Sequence, residues 1–268
     1  MRIRNASFAA LFVLAAAACG GDEPQPAPPP QPAMNGPKPV LAAAPYVAPA
    51  DADDAAIDKA AQAYVDLVLD ISPESATGLG LHARDGLLDD RSLDGYEKNT
   101  QKEEAMLKDL QTRFANPTAS MRAKTDLEIL EHTLEVDVRL RRDVKPLVTQ
   151  PDSYCGPMNA IFWMTAREYA PAPERAENVL ARMEKIPKML KGAEANISNP
   201  PKVWTEIGIE SAEGAKTFFD DQRSFLKTAL PEAGDRIEKA IKRAREAYLA
   251  YAAFLKKDVL PKSNGDYA

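Results

Sequence analysis

Two histidines and two cysteines are all that the 268 residues hold of the side chains best suited to soft-metal binding or nucleophilic attack near neutral pH. They are His82, His132, Cys19 and Cys155. Hydrolytic zinc needs three protein ligands, an open position and usually a carboxylate base. The string His-Glu-x-x-His supplies most of that set from one helix face, and the chain does not contain it. The nearest approach is Glu128 with His132, an i, i+4 pair that offers two ligands at most. His132 also shares a stripe with Ile129 and Val136, which suits a packed imidazole better than a ligand. Nucleophilic catalysis fares no better. There is no Gly-x-Ser-x-Gly turn, and Cys155 would need a histidine brought to it from elsewhere in the chain, so it reads as a buried free thiol.

His82 lies in "ATGLGLHARDGLLDD", which follows neither the dinucleotide-binding nor the P-loop glycine pattern. Gly78 and Gly80 allow tight backbone turns, Asp85-Gly86 is a turn dipeptide, and Asp89, Asp90 and Ser92 are helix-capping types. Two roles remain open for His82 and its neighbour Asp85. They fix the corner structurally, the imidazole bonding the local backbone, or they line a ligand cleft. No residue is assigned a catalytic or metal-binding role.

The elements that must position these residues are helical almost throughout. Ile57, Ala61, Tyr64, Val68 and Ile71 follow helical spacing behind aspartates suited to N-capping. Ser92 opens the next helix, with Leu107, Leu110 and Phe114 inward. A longer one runs from about Ser120 to Lys145, with Leu127, Leu130, Leu134 and Val138 inward and Glu128, Glu131, Glu135, Arg139 and Arg142 on a solvated edge. Pro146 and Pro151 end it. "MNAIFWMTAREY" is the densest apolar stretch and is expected in the core. Glu174 to Ile197 forms a helix that Pro187 should kink. "NPP" at 199–201 starts an element holding Trp204 and Ile207, Phe218, Phe219, Phe225 and Leu226 mark another, and Ile237 to Leu255 form the last. No run alternates with period two, so the expected fold is all-α, with roughly seven to nine helices over residues 51–268.

Ahead of that domain the sequence changes character. Arg2 and Arg4 precede a 13-residue apolar run, too short to span a bilayer and right for the core of a signal peptide over 1–18. Small residues ending at Cys19 resemble the bacterial lipobox, although Ala16 stands where leucine is usual. An ordinary signal peptide cut after an Ala-x-Ala site is the other reading. Gly20 in place of aspartate points a lipidated Cys19 to the outer membrane, facing the periplasm. Ten of the 22 prolines fall in 20–50, so residues 19–50 read as a disordered, extended tether. A lipidated Cys19 leaves Cys155 without a disulfide partner, and the core is then expected to rest on apolar burial alone. A net charge of −6 argues against nucleic acid as a partner, and the expected partner is a membrane, through the anchor.

Three ordered stretches carry a family resemblance: "SPESATGLGLHARDGLLDDRS", "MEKIPKMLKGAEANISNPPKVWTEIGIE" and "AYLAYAAFLKKDVLPKSNGDYA". They resemble the bacterial domain-of-unknown-function 885 family, often found as lipoproteins, and the likeness runs through everything after the tether. The resemblance implies an all-helical, zinc-peptidase-like protein about twice this length, with its zinc helix in the C-terminal half. No family zinc ligand or catalytic glutamate has a counterpart here, so zinc is expected only where a C-terminal half exists. The implied reading is an N-terminal half, inactive alone, whose partner would be that second half. The alternative is a self-sufficient, non-catalytic envelope lipoprotein that binds a peptide or protein in a helical groove.

Overall fold

The computed structural model describes residues 52–265, and the signal peptide, Cys19 and the tether lie outside the described residues. The described chain is all-α, with no strand among its residues. Ten α-helical segments follow one another: α1 (Asp54–Ile71), α2 (Pro73–Gly78), α3 (Leu93–Arg113), α4 (Met121–Arg139), α5 (Pro146–Thr149), α6 (Gly156–Ala166), α7 (Ala172–Asn196), α8 (Lys202–Asp221), α9 (Arg223–Ala229) and α10 (Gly234–Phe254). Three are short: α2, α5 and α9.

Two apolar clusters hold the helices together. The smaller joins α1, α3 and α4 through Ile57, Leu110, Phe114, Leu127, Leu130 and Leu134. The larger is centred on α7, α8 and α10, where Met183, Ile186, Phe219, Ile241, Tyr248 and Tyr251 are closed to solvent. The Phe219 ring stacks on Tyr248 with centroids 5.8 Å apart. Close approach between α8 and the 151–155 turn depends on Gly208, because a Cβ there would lie 2.7 Å from Pro151 Cβ.

Helix ends follow local chemistry. Ser92 and Ser120 cap α3 and α4, accepting from the amides of Gly95 at 3.0 Å and Ala123 at 3.3 Å. Gly80 at φ +85 closes α2 with a Schellman pair, Leu81 N–H to Ala76 O and Gly80 N–H to Thr77 O. After α4 the chain makes a wider, π-type turn over Leu140–Val144 and reverses at Lys145 in the left-handed region, after which Pro146 starts α5. α7 runs through Pro187 as one helix.

Several expectations need correction. Asp53 and Asp54 do not cap α1 with their side chains. They bind the 118–120 segment instead, Asp54 accepting from Ser120 N at 2.8 Å and Ser120 Oγ at 2.6 Å. Ahead of the turns expected at Gly78 and Gly80, the 73–78 stretch forms a short helix, and Asp89 supplies the cap for its first turn. Phe218 and Phe219 end α8 while Phe225 and Leu226 lie on α9, a break falling at Gln222. In α6 Ile161 and Met164 are buried but Phe162 is 46% exposed, since only one face of that helix meets α7. His132 is exposed and does not pack, because α4 turns its Ile129–Val136 stripe outward. Arg142 is bound into α3 through Glu97 and Glu104 and does not stand free on a solvated edge.

Candidate functional site

His82, Asp85 and a third residue, Tyr169 from the α6–α7 connection, come together at the end of α2, where Thr77 donates to Asp85. The Arg84–Leu87 turn, closed by Leu87 N–H to Arg84 O at 2.9 Å, points Asp85 inward. Gly86 lets this turn approach α7, where an added Cβ would already lie 3.1 Å from Asn178 Oδ1. The Asp85 carboxylate is buried and takes three partners. Oδ1 accepts from Thr77 Oγ1 at 2.6 Å, and Oδ2 accepts from the Tyr169 hydroxyl in a short contact and lies 3.0 Å from His82 Nδ1. The His82 and Tyr169 rings stack with centroids 3.3 Å apart and planes within 3°. Burial, then the bond to Asp85, raises the Tyr169 phenol well above its ordinary value, so it stays protonated as a donor.

Behind this trio lies a buried arginine that the sequence does not advertise. Arg182 on α7 is fully enclosed, and it donates to Leu87 O, Pro73 O and Thr77 Oγ1 at 2.9, 3.1 and 2.7 Å. Burial pulls its guanidinium below the ordinary value, while Glu74, Asp85 and Asp89 oppose the shift. A second layer is built on Glu74 and Arg91, which pair in bidentate form at 2.6 and 2.9 Å. Arg91 also donates to Ser153 O at 3.0 Å, and Asp89 and Glu74 exchange backbone-to-carboxylate bonds at 3.0 and 3.1 Å. Burial and the neighbouring Glu74 charge push the Asp89 carboxyl up. Gly156 leaves room for the pair, since a Cβ there would sit 2.7 Å from Arg91 Nη2.

The core is therefore not held by apolar burial alone, as the sequence suggested. A chain of buried charge ties the 72–91 segment to α7 and to the 151–155 turn. His82 bonds a carboxylate and stacks on a tyrosine where its own backbone was expected as partner. The geometry favours a fixed corner: Asp85 is enclosed, while His82, its side chain 26% exposed, and Tyr169 are only partly buried. Its Nε2 has no hydrogen-bond partner among the described residues. The exposed Leu79, Leu81 and Leu87 lie in the same segment, and Arg167 from the end of α6 reaches it through the Gly78 carbonyl at 2.9 Å.

The arrangement resembles the base half of a catalytic triad, in that a carboxylate orients an imidazole, but among the described residues no nucleophile is hydrogen-bonded to His82. Cys155 does not fill that place, since burial pushes its thiol up to about 12 and no histidine partners it. Among the described residues no three His, Cys, Asp or Glu side chains converge to hold an ion. Glu128 and His132 lie exposed on α4 and recruit no third donor. Arg182, Glu74, Arg91 and Tyr169 were missed from sequence, because a buried charge carries no signature of its own until its partner is placed.

An all-helical domain stapled by buried ion pairs, with one half-open histidine at its corner, is what fold and site define together. The chain belongs to a family of bacterial proteins of unknown function, domain of unknown function 885, whose sequence pattern matches residues 73–267. Among solved structures it is similar to that of a candidate lipoprotein of unknown function from Shewanella oneidensis, with a TM-score of 0.70 and 24% identity. That likeness covers 78% of this chain and 39% of the other, so the chain spans about two fifths of its neighbour's length. A search of curated proteins gives no match.

Proposed function

We propose that this chain is an exported lipoprotein of the bacterial cell envelope, anchored through Cys19. Its helical domain is the N-terminal half of a peptidase-like protein and has no catalytic zinc site of its own. The observation that carries the reading is the asymmetry of the structural likeness. Most of this chain superposes on a minor part of a longer chain, 78% against 39%. The family match over residues 73–267 supports it. So do the exposed Leu79, Leu81, Leu87 and Phe162, apolar side chains of the kind on which further helices would pack. On this reading Gly20 sends the anchor to the outer membrane, facing the periplasm, and the partners are the membrane and a C-terminal peptidase half.

The test is to express the 268-residue chain with and without whatever reading frame follows its last codon, and to assay peptide hydrolysis with zinc and with a chelator. The chain alone should be inert, and chelator-sensitive hydrolysis should appear when a downstream His-Glu-x-x-His segment is joined to it. Chelator-sensitive cleavage by the chain alone would overturn the proposal. A second reading, a self-sufficient non-catalytic lipoprotein that binds a peptide, is favoured by how complete the interior is. Among the described residues only Arg182 Nη1 and Glu103 Oε2, the latter ion-paired with Arg141 at 2.7 Å, are buried side-chain atoms without a hydrogen bond.

A further inference from the structure

The outward face of α4 carries a stripe that nothing in the described chain covers. Met121, Thr125, Ile129, His132, Val136 and Leu140 succeed one another at steps of four, four, three, four and four, close to the spacing of a helix–helix seam. All six are exposed, Met121 by 80% and Ile129 by 60%. The charges around the stripe are the second observation. Lys124, Glu128, Arg139 and Asp143 make no ion pair among the described residues, whereas Arg122, Arg141 and Arg142 on the same helix and its continuation are all paired. Their order along the helix is self-complementary. Set α4 against an antiparallel copy of itself, with a two-fold axis between Thr133 and Leu134. Lys124 then meets Asp143 and Glu128 meets Arg139, each twice, while His132 meets Glu135. A parallel copy would set each charge against its own kind.

We propose that this face is a homodimer seam, in which a second copy of the chain lays its α4 antiparallel along the first. The apolar stripe supplies the burial, and Lys124, Glu128, Arg139 and Asp143 fix direction and register. His132 takes its place as a seam residue facing Glu135 of the partner subunit.

The test uses the full chain produced in a bacterial host, with His132→Cys as a cross-linking handle near the axis and a short bis-maleimide as reagent. A product of twice the subunit mass is expected from His132→Cys and not from the unsubstituted chain or from Lys239→Cys, an exposed position on α10. Adding Glu128→Arg or Arg139→Glu to His132→Cys should cut the yield several-fold, and adding both should restore it, because each swapped charge again faces its opposite. All these side chains are exposed, and circular dichroism checks that the fold is kept. No cross-link, equal yields from positions 132 and 239, a product containing a different protein, or no recovery in the double reversal each overturns the proposal.

Discussion

Replacing Asp85 by alanine should cost far more stability than replacing His82, and the ratio of the two costs tests whether the corner is a structural staple. The Asp85 carboxylate is 2% exposed and accepts from Thr77, Tyr169 and His82. Hydrogen bonds to a charged acceptor contribute about 1.5–3 kcal/mol each, and breaking up a buried charged cluster by removing one member costs roughly 3–5 kcal/mol. The lower range governs, because the lost bonds are not additive and the desolvation of Asp85 is recovered. About 4 kcal/mol is therefore expected for Asp85→Ala, with Arg182 left short of a counter-charge. His82→Ala removes one bond from a ring whose side chain is 26% exposed, together with one stack, and leaves Thr77 and Tyr169 on the carboxylate. That sums to about 1–2 kcal/mol. At roughly 2–4 °C per kcal/mol for a domain of this size, the melting temperature should fall by about 10 °C for Asp85→Ala and about 4 °C for His82→Ala. Urea titration followed by far-ultraviolet circular dichroism reads both. Equal costs, or a loss under 1 kcal/mol for Asp85→Ala, would refute the reasoning.

Three further outcomes follow from named groups. Burial pushes the Glu103 carboxyl up to about 7, against the pull of Arg141 and with Asp137 and Glu104 adding to the rise. A carboxyl raised on folding binds its proton more tightly in the native state, so stability should fall as pH rises from about 4.5 to about 7. The loss is on the order of 2–3 kcal/mol, and a flatter profile in Glu103→Gln measures it. Gly156→Ala should destabilise by about 1–3 kcal/mol, because its methyl intrudes on the Arg91 guanidinium, and a chemical-denaturation midpoint near wild type would contradict the packing described. Cys155, its thiol pushed up by burial to about 12, should resist iodoacetamide at pH 8 in the native protein and react in urea. Rapid native alkylation, followed by peptide mapping, would show the thiol to be open.

The fold was legible wherever one face of a helix is apolar. Leu127, Leu130 and Leu134 on α4, or Ile237, Ile241, Ala244 and Tyr248 on α10, declare their burial by spacing, and the structure closes them. Caps with a local partner were equally readable, as Ser92 shows. What sequence spacing cannot reveal is a polar group whose partner is distant in the chain. Arg182 bonds to residues 73, 77 and 87, about a hundred positions away, and looks like any surface arginine on a helix until those residues are placed. Asp54 reads as a cap for its own helix and serves Ser120 instead. At the candidate site the glycine- and aspartate-rich corner announced a turn around His82, but Tyr169, 87 positions later, carries no local pattern that joins it to that turn.

Two separate apolar clusters, one under α1, α3 and α4 and one under α7, α8 and α10, imply a protein that need not come apart all at once. The smaller has nine buried side chains against 26 in the larger, so its amides should exchange with deuterated water through partial openings that leave the larger cluster protected. The first trio of helices would then be a breathing unit mounted on a firmer base.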